Sequence, residues 1–158
     1  MDEKTALVAA YSICWEGCIS VSFTKKEHKG KIYPYFVPNI QISGTNEDLL
    51  RSFLSLVNMG KVYKVNRKGI KQKPVYIWRL SGAKNMQIFC EEVIPYLPTK
   101  RRQAELMIEF CKRRVGGQTV HNKDGYHSRY TFREVEIWEE MKQLNKRGVT
   151  RLGEVNEG

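Results

Sequence analysis

Glu16 is the residue in this sequence best placed to do chemistry. Residues 5–15 carry no charged side chain, and Glu16 follows them directly, just ahead of Gly17. A carboxylate at a helix C-terminus opposes the helix dipole, and an ordinary solvated acid is one reading of it. The other reading needs two copies of the chain. If the uncharged helices of two copies pair, two Glu16 side chains approach at one end of the contact, where carboxylates repel unless protons or cations neutralise them. Such oxygen ligands suit Mg²⁺, with Mn²⁺ or Ca²⁺ as substitutes, and two hard-metal sites side by side are an arrangement that phosphodiester hydrolysis can use.

The element that must position Glu16 is unusual. A surface helix shows one apolar stripe, whereas residues 5–15 are apolar all round and call for burial on more than one side. Leu7, Val8 and Tyr11 are expected to face the chain's own core. Ala6, Ala9, Ala10 and Ile13 are then left to meet the same helix of a second copy, because small residues allow a close crossing. Burial of the whole helix within its own domain is the alternative.

After Gly17 the period changes from helical to alternating: Ile19, Val21 and Phe23 interleave with Ser20, Ser22 and Thr24, as in a strand with one polar face. A basic turn over residues 25–31 leads to a second strand over 33–43, with Phe36, Ile40 and Ile42 inward and Asn39 and Gln41 outward. A helix is expected from Thr45 or Asn46, with Asp48 as the acid of a capping box and Gly60 as the stop. Two more strands, 61–66 and 74–80, flank a turn rich in Lys, Arg and Gly, and from Lys61 to Lys73 there are six basic residues and no acid. Helices over 83–96 and 99–114 follow, separated at Leu97-Pro98. A Gly-rich loop over 115–126 then precedes a last helix opened by the Thr131–Glu134 capping box. The order α-β-β-α-β-β-α-α-α defines an α+β fold, with residues 1–114 as its core and 115–158 as a loop and helical extension of the same domain.

Composition narrows the partners. The 158 residues hold 27 Lys and Arg against 17 Asp and Glu, a formal charge of +10, which attracts a polyanion such as DNA, RNA or an anionic membrane. The membrane is disfavoured, since the longest uncharged stretch is too short to span and lacks a basic face. The start Met-Asp-Glu-Lys is not the basic opening of a secretion signal, and the expectation is a soluble, intracellular protein. Cys14, Cys18, Cys90 and Cys111 show no CxxC spacing, and His28, His121 and His127 complete no ligand set. Free thiols in a reducing compartment are therefore expected in place of zinc.

The run Ala9-Ala-Tyr-Ser-Ile-Cys-Trp-Glu-Gly17, followed by Cys-Ile-Ser-Val, resembles the signature helix and first strand of the LAGLIDADG homing endonucleases. The segment Gln41-Ile-Ser-Gly-Thr-Asn-Glu-Asp-Leu-Leu50 resembles the family's second strand and next helix, and Gly60-Lys-Val-Tyr63 its third strand. Pro95-Tyr-Leu-Pro-Thr-Lys-Arg-Arg-Gln-Ala104 resembles its late basic helix start. Together the matches span residues 6–114 in the family's order. The chain departs from the pattern at Tyr11 and Trp15, where small residues are usual, and at Ser12 and Cys14, which replace an apolar residue and an acid.

The resemblance implies an αββαββα core with a curved antiparallel DNA-binding sheet lying along the major groove, and extra C-terminal helices. For a chain with one signature motif it implies a homodimer that cuts a long, pseudo-palindromic DNA site, the chemistry of intron homing. By matching position, Glu16 would bind the metal with the Trp15 main-chain carbonyl. Lys100 would stand near the scissile phosphate, ordering water or stabilising negative charge. The polar sheet face supplies candidate DNA readers: Ser20, Ser22, Thr24, Lys26, Asn39, Gln41, Lys61, Tyr63, Ile77 and Arg79. Lys29, Lys31, Arg67 and Lys68, in the turns, would hold phosphates. The competing function is an RNA-splicing maturase on intron RNA, or a DNA-binding protein without nuclease activity, on the same scaffold. An intein domain is disfavoured by a start at Met1 and the lack of flanking splicing motifs.

Overall fold

The computed structural model describes residues 1–66, 73–116, 120–121 and 128–146. Helix α1 (Glu3–Glu16) starts at Asp2, whose side chain accepts from the Thr5 N–H at 2.8 Å, the capping bond that short acceptor side chains make to an orphan backbone donor. It ends at Gly17, where a Cβ would stand 2.8 Å from Ile13 Cα and Ile13 O. Only glycine allows the first strand to leave the helix this tightly.

Strands β1 (Gly17–His28) and β2 (Lys31–Gly44) form a long antiparallel hairpin. Its turn residues Lys29 and Gly30 both have positive φ, 49° and 72°, as the favoured two-residue hairpin turn requires. Closing the turn with the pair His28 and Lys31 points the backbone groups of odd-numbered β2 residues at β1 and those of even-numbered residues away from it. Strand β4 (Val75–Leu80) takes up that second edge only from Ile40 to Gly44, and β3 (Lys61–Val65) pairs outside β4, giving the order β1-β2-β4-β3.

The remaining even-numbered positions of β2 would present a bare edge, a template for unwanted strand pairing. Pro34 and Pro38 have no N–H to offer. Between them, the Phe36 N–H donates to Tyr130 Oη (3.1 Å) and the Phe36 carbonyl accepts from Arg114 Nη1 (3.1 Å). Side chains thus complete the edge where β4 stops.

Helix α2 (Glu47–Val57) is capped by Asn46, whose side chain accepts from the Leu49 N–H, so the Thr45–Asp48 capping box expected from sequence does not form. The helix ends at Asn58 (φ 52°) and not at Gly60. Gly60 serves another purpose: it sits at φ 90° against Trp78, where a Cβ would lie 2.7 Å from Nε1. Trp78 is fully buried, donates through Nε1 to the Met59 carbonyl at 2.8 Å, and packs its ring on Phe53 and Phe89.

Helix α3 (Ala83–Val93) tightens into a 3-10 turn (Ile94–Tyr96) at Pro95, and α4 (Arg101–Val115) follows. A short ribbon pairs β5 (Val120–His121), inside the stretch expected to be loop, with β6 (Ser128–Arg129), just beyond it. The expected capping box of Thr131 and Glu134 opens α5 (Phe132–Leu144). Helix α5 is not peripheral: Ile137 and Met141 are fully buried in the common core, and the Trp138 ring packs at a tilt against Phe23 and Phe36.

The faces of α1 are the reverse of the sequence expectation. Ala6, Ala9, Ala10 and Ile13 are buried in the chain's own core, while Leu7, Val8, Tyr11 and Trp15 are 44%, 47%, 47% and 78% exposed. The small side chains bring the α1 backbone down onto β1 and β2. The tight crossing that they permit is made with the sheet of the same chain.

Candidate active site

Glu16, the last residue of α1, is exposed and makes no hydrogen bond or ion pair among the described residues. It stands at one end of a groove of about 570 Å³ between α1 and α2, whose walls include Val8, Tyr11, Trp15, Leu49, Phe53 and Leu56. On its other side, one residue into β1, the polar face of the sheet begins. The carboxylate therefore occupies the corner between an uncovered apolar helix face and a polar sheet face.

Lys100 meets α1 from behind. It is the N-cap residue of α4, in the left-handed region at φ 60°, a conformation that costs a non-glycine residue on the order of 1 kcal/mol and persists where the surroundings enforce it. Its Nζ donates to the carbonyls of Ile13 (2.8 Å), Cys14 (3.1 Å) and Gly17 (2.6 Å). Cys14 Sγ adds a contact to the Thr99 carbonyl at 3.2 Å. The last turn of α1 has no basic residue of its own, so Lys100 supplies the positive charge that favours a helix C-terminus. The ammonium is directed at main-chain oxygens, which differs from the phosphate-facing place implied by the family resemblance.

The donor set at this corner suits a hard cation only in part. Glu16 offers a carboxylate that makes no hydrogen bond or ion pair among the described residues, and Lys100 Nζ engages the carbonyls on either side of the 15–16 pair. No group of three or more His, Cys, Asp or Glu side chains gathers anywhere among the described residues. A single carboxylate with a carbonyl fits Mg²⁺, which keeps waters and shares its shell with substrate phosphates; it does not make a closed protein cage.

The sheet brings the predicted readers onto one face. One row runs across all four strands as Cys18, Gln41, Arg79 and Lys61, through the pairs Cys18–Gln41, Gln41–Arg79 and Lys61–Arg79. Arg79 Nη2 donates to Gln41 Oε1 at 2.9 Å, so two of the predicted readers form a preset pair. Tyr63 and Ile77 pair in a neighbouring row, and Ser20 faces Asn39 on the hairpin. Ser22, Thr24 and Lys26 continue along β1, with Lys26 Nζ 3.9 Å above the Tyr35 ring. Lys29 and Lys31 sit at the exposed hairpin tip. Arg67 and Lys68 lie outside the described residues.

Sequence reasoning missed Cys18, Tyr35, Val37 and Ser43 on this same face, although the strand alternation that marked Ser20 and Gln41 points to them as well. It also missed Arg114, whose Nη2 donates to Tyr35 Oη at 3.0 Å. A residue at the end of α4 carries no local sign of reaching the hairpin.

The arrangement of sheet and helices is that of the LAGLIDADG homing endonucleases. Among solved structures, an archaeal intron-encoded homing endonuclease complexed with DNA, I-Vdi141I, matches with a TM-score of 0.68 and 19% identity, over 92% of this chain and 86% of that one. The homing endonuclease I-CvuI, solved with the I-CreI target and Mg, matches with a TM-score of 0.58 and 21% identity, over 92% and 96%. The LAGLIDADG homing endonuclease I-GzeII, in complex with its DNA target, matches at a TM-score of 0.57 and 14% identity, over 90% of this chain but 44% of its own length. No protein-family model and no curated protein matches the sequence. At these identities the likeness is one of fold, and no helix among the described residues is long and apolar enough to cross a membrane.

Proposed function

We propose that two copies of this chain bind double-stranded DNA along their sheets and cut it by divalent-metal-dependent hydrolysis at a long, two-fold-related site, the activity of an intron-homing endonuclease. One observation carries the reading: Glu16 is exposed, and without a partner among the described residues, at the corner between the apolar face of α1 and the polar face of the sheet. The solved neighbours of the same fold are homing endonucleases bound to DNA, and their crystals include Mg or Ca conditions.

In this reading the exposed stripe of Leu7, Val8, Tyr11 and Trp15 meets its symmetry mate, which carries two Glu16 carboxylates to adjacent places at the DNA surface. Contact through the alanine face is not part of the proposal, since that face is buried within the protomer. Each Glu16 carboxylate, with the Trp15 carbonyl, would hold a Mg²⁺, for which Mn²⁺ or Ca²⁺ can substitute. The cation supplies an activated water and offsets charge on the phosphate. Gln41, Arg79, Lys61, Asn39 and the small hydroxyl residues of β1 meet base edges, with the Arg79 guanidinium suited to guanine. Lys26, Lys29 and Lys31 neutralise phosphates along the hairpin.

The test is selection of cleaved sequences from a random duplex library with Mg²⁺, followed by nicking assays on the selected site. A near-palindromic product cut by the parent, and not by Glu16→Gln, is the expected result. Absence of cleavage together with tight binding to structured intron RNA would replace this reading with the maturase.

A further inference from the structure

We infer that Lys100 is a positioning residue, a clamp that fixes the end of α1 so that the Glu16 carboxylate and the Trp15 carbonyl hold the posture a hard cation requires. The inference rests on the cation-binding reading of Glu16 given above.

An ammonium has three hydrogens. Lys100 Nζ is within hydrogen-bonding distance of three main-chain oxygens, those of Ile13, Cys14 and Gly17, at 2.8, 3.1 and 2.6 Å. Swinging the side chain toward a phosphate would leave these carbonyls without that donor and remove the positive charge from a helix end that has no other basic residue in its last turn. Lys100 holds two carbonyls before Glu16 and one directly after it, so the clamp brackets the carboxylate.

Two further features tie the same corner. The left-handed backbone at Lys100 (φ 60°) aims its side chain at α1 and away from the first turn of its own helix, where it makes no side-chain cap. Cys14 Sγ reaches back to the Thr99 carbonyl at 3.2 Å, so the 99–100 segment and the end of α1 hold each other from both sides. Gly17, where no Cβ can be added without meeting Ile13, completes a junction with little freedom. Precise posture matters because a cation is sensitive to groups that orient its ligands without touching it; loss of such a partner typically weakens metal affinity by about 10–100-fold.

The probe is Tb³⁺, an oxygen-seeking stand-in for the divalent cation, whose emission is excited by a nearby indole such as Trp15. The full chain, alone and with its selected duplex, is titrated as parent, Lys100→Met, Lys100→Arg and Lys100→Gly, with Trp15→Phe to assign the antenna. Hydrogen exchange at residues 13–17 and the Mg²⁺ dependence of cleavage are measured on the same proteins. Lys100→Met is expected to raise the Tb³⁺ half-saturation about tenfold or more, to speed exchange at residues 15–17, and to raise the Mg²⁺ half-saturation while the maximal cleavage rate returns to within a few-fold of the parent. Lys100→Arg restores part of the affinity. Glycine accepts the left-handed backbone, so Lys100→Gly gives the same readouts if the methionine variant fails to fold.

Unchanged Tb³⁺ affinity and exchange, with a maximal rate that stays low at saturating Mg²⁺, would overturn the clamp in favour of a direct role at the phosphate. If Glu16→Gln leaves the Tb³⁺ emission intact, the cation reading of Glu16 falls and the inference with it. If the parent binds Tb³⁺ at Trp15 yet cuts no DNA, only the nuclease reading fails, and the Tb³⁺ and exchange data still decide the clamp.

Discussion

Trp15→Ala gives the sharpest test of how two protomers would meet. The indole is 78% exposed in the protomer, and a buried Trp removes on the order of 200 Å² from water. At about 25 cal/mol per Å², covering the part now facing solvent is worth up to about 4 kcal/mol per copy, and truncating an interface anchor of this kind commonly costs ~2 kcal/mol or more. A two-fold contact uses the residue twice, so the dimer dissociation constant is expected to rise by about a thousandfold or more. Sedimentation equilibrium over a wide protein range measures it directly. The substitution leaves the melting temperature of the isolated protomer unchanged, because Trp15 lies outside the core. Ala10→Leu does the opposite: at a fully buried position it overpacks the α1–sheet contact and costs the protomer about 1–3 kcal/mol. A two-fold contact through this stripe is refuted if the parent sediments as a single protomer at tens of micromolar with and without DNA. It is equally refuted if Trp15→Ala leaves the dimer intact while Ala10→Leu separates well-folded subunits.

Three further outcomes follow from the packing. Gly60→Ala forces a Cβ to 2.7 Å from Trp78 Nε1 and 2.8 Å from the Arg79 carbonyl at φ 90°, and urea denaturation should show a loss of about 2–4 kcal/mol. Tyr130→Phe leaves the Phe36 N–H without its acceptor; a stability loss of about 1 kcal/mol is expected, with faster exchange of the Phe36 amide. Arg133 beside Glu109, and Arg102 beside Glu140, hold those carboxyls below the ordinary glutamate range through side-chain hydrogen bonds. Because the folded values are the depressed ones, these pairs contribute above the unfolded value of about 4.3, and the contribution fades as pH falls below it toward the folded values. Chemical denaturation across that acid range should lose part of its slope in Arg133→Gln.

The strands and the amphipathic α2 were legible because their patterns are local. Ile19, Val21, Ile40 and Ile42 alternate with polar neighbours, and Leu50, Phe53 and Val57 repeat at helical spacing; the core contains all of them. Helix α1 misled for the same physical reason that made it stand out. With no charge on any face, it carries no directional signal, and side-chain size was the only guide to which side turned inward. Size pointed the wrong way, since a helix lying flat on a sheet buries its small residues and leaves Tyr11 and Trp15 outside. Glu16 was legible from position alone. The attachment of Lys100 was not, because a left-handed N-cap and a side chain spanning to another helix are set by tertiary structure. The same holds for Tyr130 and Arg114, whose role on the β2 edge exists only because β4 ends at Leu80, opposite Ile40.

The period-two arrangement of the hairpin has a consequence for how such a chain can change over generations. In the part of the hairpin next to α1, alternate codons specify residues outside the core: Ser20, Ser22, Asn39 and Gln41 can be exchanged while Ile19, Val21, Ile40 and Ile42 stay as they are. Under the proposed function, new duplex addresses are then open to drift with little loss of foldedness. The row that ties Gln41 to Arg79 is where such retargeting would have to move two residues at once.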